Sequence, residues 1–513
     1  MKKRNLQILS LFLTILISLS TLAGCSDHSG DTSSGSSQKN SSLSDDHDMT
    51  ESEISTESVI NNESEDDNTS GSGITTSSKL QTTSENISSK ELSNQSGTVY
   101  SKPVADLKGR TITIMQNIPT TAKEYLNTVY GKKLAAHIKK IENQYNCKIN
   151  FTQIDLTQLV SSIVSGKPIC DIMDGSGPHL IGSYMKPNAL LPLDNFSYIN
   201  VSDAKYDKFV TESLTIKGKH YGVQPVAQAF QKVQYSMVLY YNKDLLKRAG
   251  ITEDLYELQK NGKWTWDKLR EISLQVTDKD KGIWGIGDNE FWFYNGLVQS
   301  NGSDWVKRQN GKTVFSGDDT AALEALNYYK KLAYDDKVLR VQPTHLEDRT
   351  IDVSDFFAGK VAFLPNYLER IQREGFRTMK DEYGVLYFPK GPKASDYVNA
   401  VNWYTWFSIP TTVKNPNEVA TILNAFCDPV LSAAEEKSIF SVELGMYTKD
   451  AGSRDTINGL TSIMKRSYIM DCYTSLQWAA SGGWYEQLCK IAKNEVTPMA
   501  AINANKNSFN NKI

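Results

Sequence analysis

The chain has 513 residues, more than one compact domain of roughly 100 to 200 residues accommodates, so two or three folded units are expected. Its 56 Lys and Arg against 59 Asp and Glu leave a formal charge of −3, without the basic field that nucleic-acid binding needs, and a mean hydropathy of −0.42 with 39% hydrophobic residues describes a soluble body. Six Cys without paired CxxC spacing match neither a disulfide-stapled miniprotein nor a zinc module.

At the N-terminus Lys2, Lys3 and Arg4 precede an apolar stretch from Leu6 to Leu19, the pattern of an export signal and too short for a comfortable helical span. It ends in Leu22-Ala23-Gly24-Cys25, which resembles the lipobox of bacterial lipoproteins, where small residues admit the peptidase and the Cys thiol takes a diacylglycerol. Cys25 is therefore expected to become the acylated N-terminus of a protein held on the extracytoplasmic face of the cell membrane. Two or three acyl chains anchor stably, because each buried methylene contributes about 0.8 kcal/mol and one chain alone is marginal.

Residues 26–98 are rich in Ser, Thr, Asn, Gly and acids, with no aromatic residue before Tyr100. They hold 14 acids against three bases (Lys39, Lys79 and Lys90), a net of −11. Low hydrophobicity and self-repulsion predict an extended, disordered tether. Asp45, Asp46, His47 and Asp48 cluster without calcium-loop spacing, so no metal is expected, and no cofactor motif occurs.

The folded part, 99–513, opens with a β-rich run at Thr111 to Met115. A helix follows over Lys132 to Asn146, with Leu134, Ile138, Ile141 and Tyr145 on one face. Cys147, Ile149 and Phe151 alternate as a strand, Leu156 to Val164 reads as a helix stopped by Ser165-Gly166, and Ile169 to Met173 reads as another strand. The order βαβαβ implies a parallel sheet, whose ligands bind beyond the carboxyl ends of its strands. Gln116, Asn117, Asp174, Gly175 and Ser176 stand there.

Later stretches carry punctuation that physical chemistry explains. Lys217-Gly218 supplies a hairpin turn, Asn242 an N-cap for a helix from Lys243 to Arg248, and Gly250 its stop. Thr265 caps a helix beginning at Trp266, which makes Trp264 and Trp266 packing residues. Gly359 ends a helix containing Phe356 and Phe357 before a strand from Val361 to Leu364, with Asn366 and Tyr367 at its carboxyl end.

In chain order, Ser165-Gly166 to Asp171-Ile172 with Ala189 to Asp194, Lys217 to Pro225, Leu239 to Leu246, Lys263 to Leu269, Phe356 to Phe363 and Tyr383 to Pro392 resemble the motifs of extracellular solute-binding proteins of family 1, the receptors of ABC importers. The usual residue after the second Ala of the Phe356 to Phe363 motif is replaced by Phe363, and the chain beyond Phe426 matches weakly. The resemblance implies an α/β, two-lobed periplasmic-binding-protein-like fold of type II with the ligand in the inter-lobe cleft. It also implies an N-lobe of about 102–230 and 353–395 and a C-lobe of about 231–352 and 396–513. Crossovers are then expected near Val226 to Tyr235, His345 to Asp352 and Tyr397 to Trp403, which puts Tyr235 beside the ligand.

Nine Trp and 25 Tyr favour a carbohydrate ligand, because pyranose C–H faces stack on aromatic rings while hydroxyls take planar polar partners. Trp292 and Trp403 are the candidate platforms, with Trp406 next, although it alternates into a strand toward Ile409; Trp478 and Trp484 are weaker candidates. No HExxH, GxSxG or GxxxxGK[ST] occurs, so no enzyme is expected. Among Cys147, Cys170, Cys427, Cys472 and Cys489, Cys147 and Cys170 read as small core residues on buried strands, Cys472 and Cys489 are open to pairing, and the odd count leaves at least one thiol free or with a partner elsewhere, since spacing alone fixes no geometry. The expectation is a monomeric, lipid-anchored receptor handing a small-molecule solute, an oligosaccharide, to ABC permease subunits. A sensory or scaffold lipoprotein reporting its ligand to a membrane kinase, or a receptor for a non-sugar solute, is the alternative. Cys25→Ala is expected to release the protein from the membrane or leave its leader uncut, with loss of fatty-acid label in a metabolic labelling experiment; a variant that still takes up label would refute the lipobox reading.

Overall fold

The structure is a computed structural model that describes residues 98–116, 129–154, 156–176, 188–287, 290–309, 312–341, 351–401, 404–466 and 483–510. The expected leader with Cys25, the tether, Asn117, Trp403, Cys472 and Trp478 lie outside the described residues, and so do the side chains of Gln116 and Trp292.

The first lobe begins with β1 (Thr111–Gln116), α1 (Val129–Tyr145), β2 (Lys148–Gln153), α2 (Leu156–Val164) and β3 (Met173–Ser176). β1 and β2 pair in parallel, Thr111 opposite Lys148 and Gln116 opposite Gln153, as a strand–helix–strand crossover requires. β3 joins the other side of β1, where the Met115 N–H donates to the Ile172 carbonyl at 2.8 Å. This strand starts later than its apolar run predicts. The Asp171 carboxylate accepts the Thr113 N–H at 2.8 Å and pairs with Arg110 at 2.6 Å, so a side chain takes the place of the ladder there. Beyond it come α3 (Lys208–Ser213), capped by Asp207, and the hairpin of β4 (Thr215–Ile216) and β5 (Lys219–His220). The turn between them places Lys217 and Gly218 at φ 50° and 74°, the left-handed pair that a two-residue hairpin loop needs.

The chain then crosses to the second lobe over residues 226–236. There it builds β6 (Met237–Asn242), α4 (Lys243–Arg248), α5 (Leu255–Lys260), α6 (Trp266–Val276), β7 (Trp284–Gly287), α7 (Glu290–Ser300) and the hairpin β8 (Val306–Gln309) with β9 (Lys312–Phe315). α8 (Thr320–Lys330), β10 (Leu339–Arg340), α9 (Ile351–Phe357), β11 (Val361–Tyr367), α10 (Glu374–Thr378) and β12 (Tyr383–Tyr387) follow. Five of these strands form one sheet in the order β10-β7-β11-β6-β12, with β6 antiparallel to β11 and β12. The predicted caps are present: Asn242 Oδ1 accepts from the Leu245 N–H at 2.8 Å, and Thr265 from that of Lys268 at 3.4 Å. Trp264 and Trp266 are buried, and the Trp264 indole donates to the Tyr387 carbonyl at 2.9 Å.

β6 is buried along its whole length, and its alternation explains how. Met237, Leu239 and Tyr241 enter a core with Trp264, Trp266 and Phe293, whereas Val238 and Tyr240 enter the opposite core with Phe356 and Phe376. A strand buried on both faces needs hydrogen-bonded neighbours on both edges, and β11 and β12 supply them. The assignment of 353–395 to the first lobe is therefore corrected: those residues complete the second sheet. Residues 342–350, which include most of the crossover expected around His345 to Asp352, lie outside the described residues; β10 and β11 on its two sides share that sheet.

After β13 (Asn399–Val401) the chain returns to the first lobe, so 396–513 is not one block of the second. β14 (Thr405–Ser408) pairs antiparallel with β3, and α11 (Pro416–Phe426) packs Val419, Ile422 and Leu423 under β1. A third crossing leads to α12 (Ala433–Tyr447), α13 (Ala451–Leu460), β15 (Met464–Arg466), which pairs with β13, α14 (Trp484–Ala492) and α15 (Pro498–Asn510) in the second lobe. Ala229, Phe230 and Val233, within the first expected crossover, pack with Val238 and Tyr240, and Ala400, within the last, packs with Met237 and Leu239.

The crossings are tied to one another. Gln228 Oε1 accepts the N–H groups of Val430 and Leu431 at 3.1 and 3.3 Å, and its Nε2 donates to the Leu431 carbonyl at 3.2 Å. Next to it Ala229 sits at φ 51°, a left-handed conformation that L-residues with a Cβ seldom adopt. The Phe230 N–H donates to Glu443 at 3.0 Å, and Lys232 pairs with Glu436 at 3.1 Å, which fastens the first crossing to α12. Gln228→Ala strips three buried backbone groups of their partners and is expected to lower stability by about 2 to 3 kcal/mol in a denaturant titration; a change under about 0.5 kcal/mol would show that water replaces the amide.

Candidate functional site

Both sheets turn the same edge toward the crossings. In the first lobe β1 ends at Gln116 and β3 at Ser176, while β14 comes in from the crossing at Thr405, opposite Ser176. In the second lobe β11 ends at Tyr367, opposite Met237, where β6 comes in from the first crossing. Carboxyl ends of parallel strands from two lobes thus converge on the connecting segments, the position where an α/β sheet binds ligands.

On the first lobe Asp174 is nine-tenths buried, and its Oδ1 has no hydrogen-bond partner among the described residues. Burial pushes its carboxyl up to about 8. Its strand neighbour Gly175 is glycine for a steric reason, since a Cβ there would lie 2.3 Å from the ring of Trp406. That same ring is fully buried among Met115, Met173, Leu190, Val210 and Tyr404. The expectation that Trp406 touches the ligand is corrected: it fills the core beneath the strand.

On the second lobe Asn366 and Tyr367 are the last residues of β11, and both are buried. Asn366 Oδ1 accepts from the Tyr367 N–H at 2.8 Å, while its Nδ2 finds no partner among the described residues. Tyr235, on the first crossing, lies edge-on to the Tyr367 ring with centroids 5.9 Å apart. Tyr240 donates its hydroxyl to the Tyr367 carbonyl at 3.0 Å and so holds the end of the strand. Tyr235, Asn366 and Tyr367 are therefore brought together, and Asp174 belongs to the facing sheet. Trp292 lies in α7, the helix after β7, and Gln116 ends β1, while Trp403 lies outside the described residues.

Sequence reasoning missed three groups. Asn399 on β13 donates to Ser236 Oγ at 2.8 Å and leaves Oδ1 unpartnered among the described residues, which adds a buried acceptor between two crossings. Arg466 on β15 pairs with Asp207 of the first lobe at 2.7 Å, and Lys133 pairs with Glu435 of α12, so ion pairs bridge the lobes. A lone Asn in a short strand and a terminal Arg carry no sequence signal that would have found them. Trp484 is core, fully buried against Trp305. Cys147, Cys170 and Cys427 are buried thiols outside any disulfide, and burial pushes Cys170 and Cys427 up to about 12, where they are unreactive. A surface hollow of about 490 Å³ lies at the opposite edge of the second sheet, where Arg248 and Asp381 already pair at 2.7 Å. Among the described residues no cluster of His, Cys, Asp or Glu could hold a metal, and no helix is long and apolar enough to cross a membrane.

The profile of the bacterial extracellular solute-binding protein family matches residues 126–428. The chain belongs to that family. A maltooligosaccharide ABC transporter solute-binding lipoprotein of Streptococcus pneumoniae is 28% identical over 252 residues, 48% of this chain and 54% of the relative, so the chain spans about half the length of the relatives it matches. An ABC substrate-binding protein of Listeria monocytogenes in complex with cycloalternan superposes with a TM-score of 0.56 at 19% identity, covering 79% of this chain and 98% of that one. A cyclo/maltodextrin-binding protein complexed with maltotetraose gives 0.55 at 17% identity over 79% and 97%. The fold is the type II periplasmic-binding-protein fold in both lobes.

The Asp174 carboxyl gives this solute-binding protein a pH signature. Its folded-state value lies above the ordinary 3.8, so between about pH 4 and pH 8 the folded chain holds a proton that the unfolded chain has lost. Stability from this group is present below that window and falls as pH rises through it, by up to about 1.4 kcal/mol per pH unit. Asp174→Asn is expected to melt higher than the wild type at pH 7.5 and equal to it near pH 4; a melting difference independent of pH would show that Asp174 is ionised and solvated.

Proposed function

We propose that this chain is the lipid-anchored receptor of an ABC importer, which captures an oligosaccharide between its lobes and presents it to the permease from the extracytoplasmic face. The observation that carries the reading is the agreement between family membership and the ligands named for its relatives and fold neighbours: maltooligosaccharide, cycloalternan and maltotetraose. The chemistry of the converging strand ends supports it. A buried carboxylate acceptor at Asp174, a buried amide donor at Asn366 and a buried acceptor at Asn399 are polar groups without partners among the described residues, and a polyol supplies both donors and acceptors. Trp292 and Trp403 supply the apolar faces on which sugar rings stack. Gln116, Asn117 and Tyr235 flank them, and Cys25 provides the lipid anchor. Of the described residues, those within 98–226 and 404–427 make up the first lobe of the receptor, and those within 236–401 and 433–510 the second.

Malto-oligosaccharides are expected to raise the melting temperature of the protein, with about 2.7 kcal/mol of stabilisation at 100 times the dissociation constant. A panel that shifts with peptides or cations and with no sugar would overturn the reading. Trp403→Ala and Trp292→Ala are each expected to weaken binding by about 1 to 3 kcal/mol in calorimetric titration with the fold intact. If the apo melting point instead drops by the equivalent of about 3 to 5 kcal/mol, the ring concerned belongs to the core.

A further inference from the structure

At the converging strand ends Asp174 is an acid whose environment packing does not explain. Its Oδ1 is covered and, among the described residues, receives no hydrogen bond and forms no ion pair. Among the described residues the elements around it offer no compensation. Phe407 stands directly across on β14, and β14 (Thr405–Ser408), β1 (Thr111–Gln116) and α2 (Leu156–Val164) contain no ionisable residue. In α1 the cationic side chain of Lys133 is engaged by Glu435, and the His137 ring lies 3.1 Å from the Ala425 carbonyl. Asp171, the nearest carboxyl along the chain, is held by Arg110 and the Thr113 N–H.

A carboxylate oxygen shut away from water without a donor is costly, and native proteins keep such groups neutral until donors arrive. Burial pushes this carboxyl up to about 8, with no neighbouring charge drawing it back. A hydroxyl-rich ligand entering between the lobes brings O–H donors to an oxygen that has none. We propose that ligand capture ionises Asp174: the acid O–H bond breaks, the proton passes to solvent, and ligand hydroxyls donate to the resulting carboxylate, so that uptake of the solute is coupled to release of one proton. This rests on the receptor reading given above. It adds a pH control, since affinity increases toward alkaline pH and falls in an acidified medium.

The test is calorimetric titration of the wild type and Asp174→Asn with maltotetraose, at pH 7 in two buffers of different ionisation enthalpy and then from pH 5.5 to 9. For the wild type about one proton is released per site at pH 7, and the dissociation constant falls about tenfold per pH unit up to roughly pH 8 before levelling off. In Asp174→Asn, any remaining binding exchanges no proton and is flat with pH. Wild-type binding without proton release overturns the coupling while leaving the receptor reading in place. Affinity that declines as pH rises through 8 overturns it too, since the acid then serves the ligand as a donor. No binding of maltotetraose by the wild type at any pH overturns the carbohydrate reading, and the coupling with it.

Discussion

A parallel strand cannot return to its sheet without a crossover, and everything else in this molecule depends on where the crossovers are made. Each lobe is built of parallel strands joined through helices, so each has one edge where the carboxyl ends gather. The chain passes between lobes at that edge. The antiparallel strands β6 and β14 are the means: each joins its sheet directly from a crossing, and each is then fixed by partners, β6 by β11 and β12, β14 by β3. Because both strands come in at the same edge, the two rows of strand ends face a common junction.

At the crossings polar groups add to apolar packing, since Ala229, Phe230, Val233 and Leu431 belong to the core of Val238 and Tyr240. The Gln228 amide ties the first crossing to the third, Glu443 holds the Phe230 N–H, and Asn399 holds Ser236. Burial raises the Glu443 carboxyl, while the Phe230 N–H draws it back. The left-handed Ala229 is retained within this network, which is how backbone strain persists in a folded chain. Hydrogen bonds of this kind fix the path of the crossings without adding side chains to either sheet. Ion pairs such as Arg466 with Asp207 add charge complementarity across the lobes.

Asp174, Asn366 and Asn399 each keep a buried polar atom without a partner among the described residues. Trp406 shows the contrast with packing: its ring occupies the space that glycine leaves at positions 175 and 222 and is fully buried. Asp174, one strand position from Gly175, retains an oxygen that packing leaves without a donor. Neighbouring residues on one strand thus face opposite sides of the sheet, the consequence of a two-residue side-chain period.

Much was legible from the sequence because it depends on local chemistry. The caps at Asn242 and Thr265, the Lys217-Gly218 turn, the α2 boundaries and the burial of Trp264 and Trp266 each follow from a residue's own geometry or hydrogen-bonding reach. The family was legible for the same reason, since its motifs are runs of such local punctuation. The lobe to which 353–395 belongs was not, because a buried strand such as β11 reads the same in either sheet and only its pairing with β6 assigns it. The late start of β3 was decided by a contact between Asp171 and Arg110, 61 residues apart. Asp174, Asn366 and Asn399 are ordinary polar residues in sequence; that folding buries each of them and leaves each with an atom unpartnered among the described residues is a property of the tertiary structure alone.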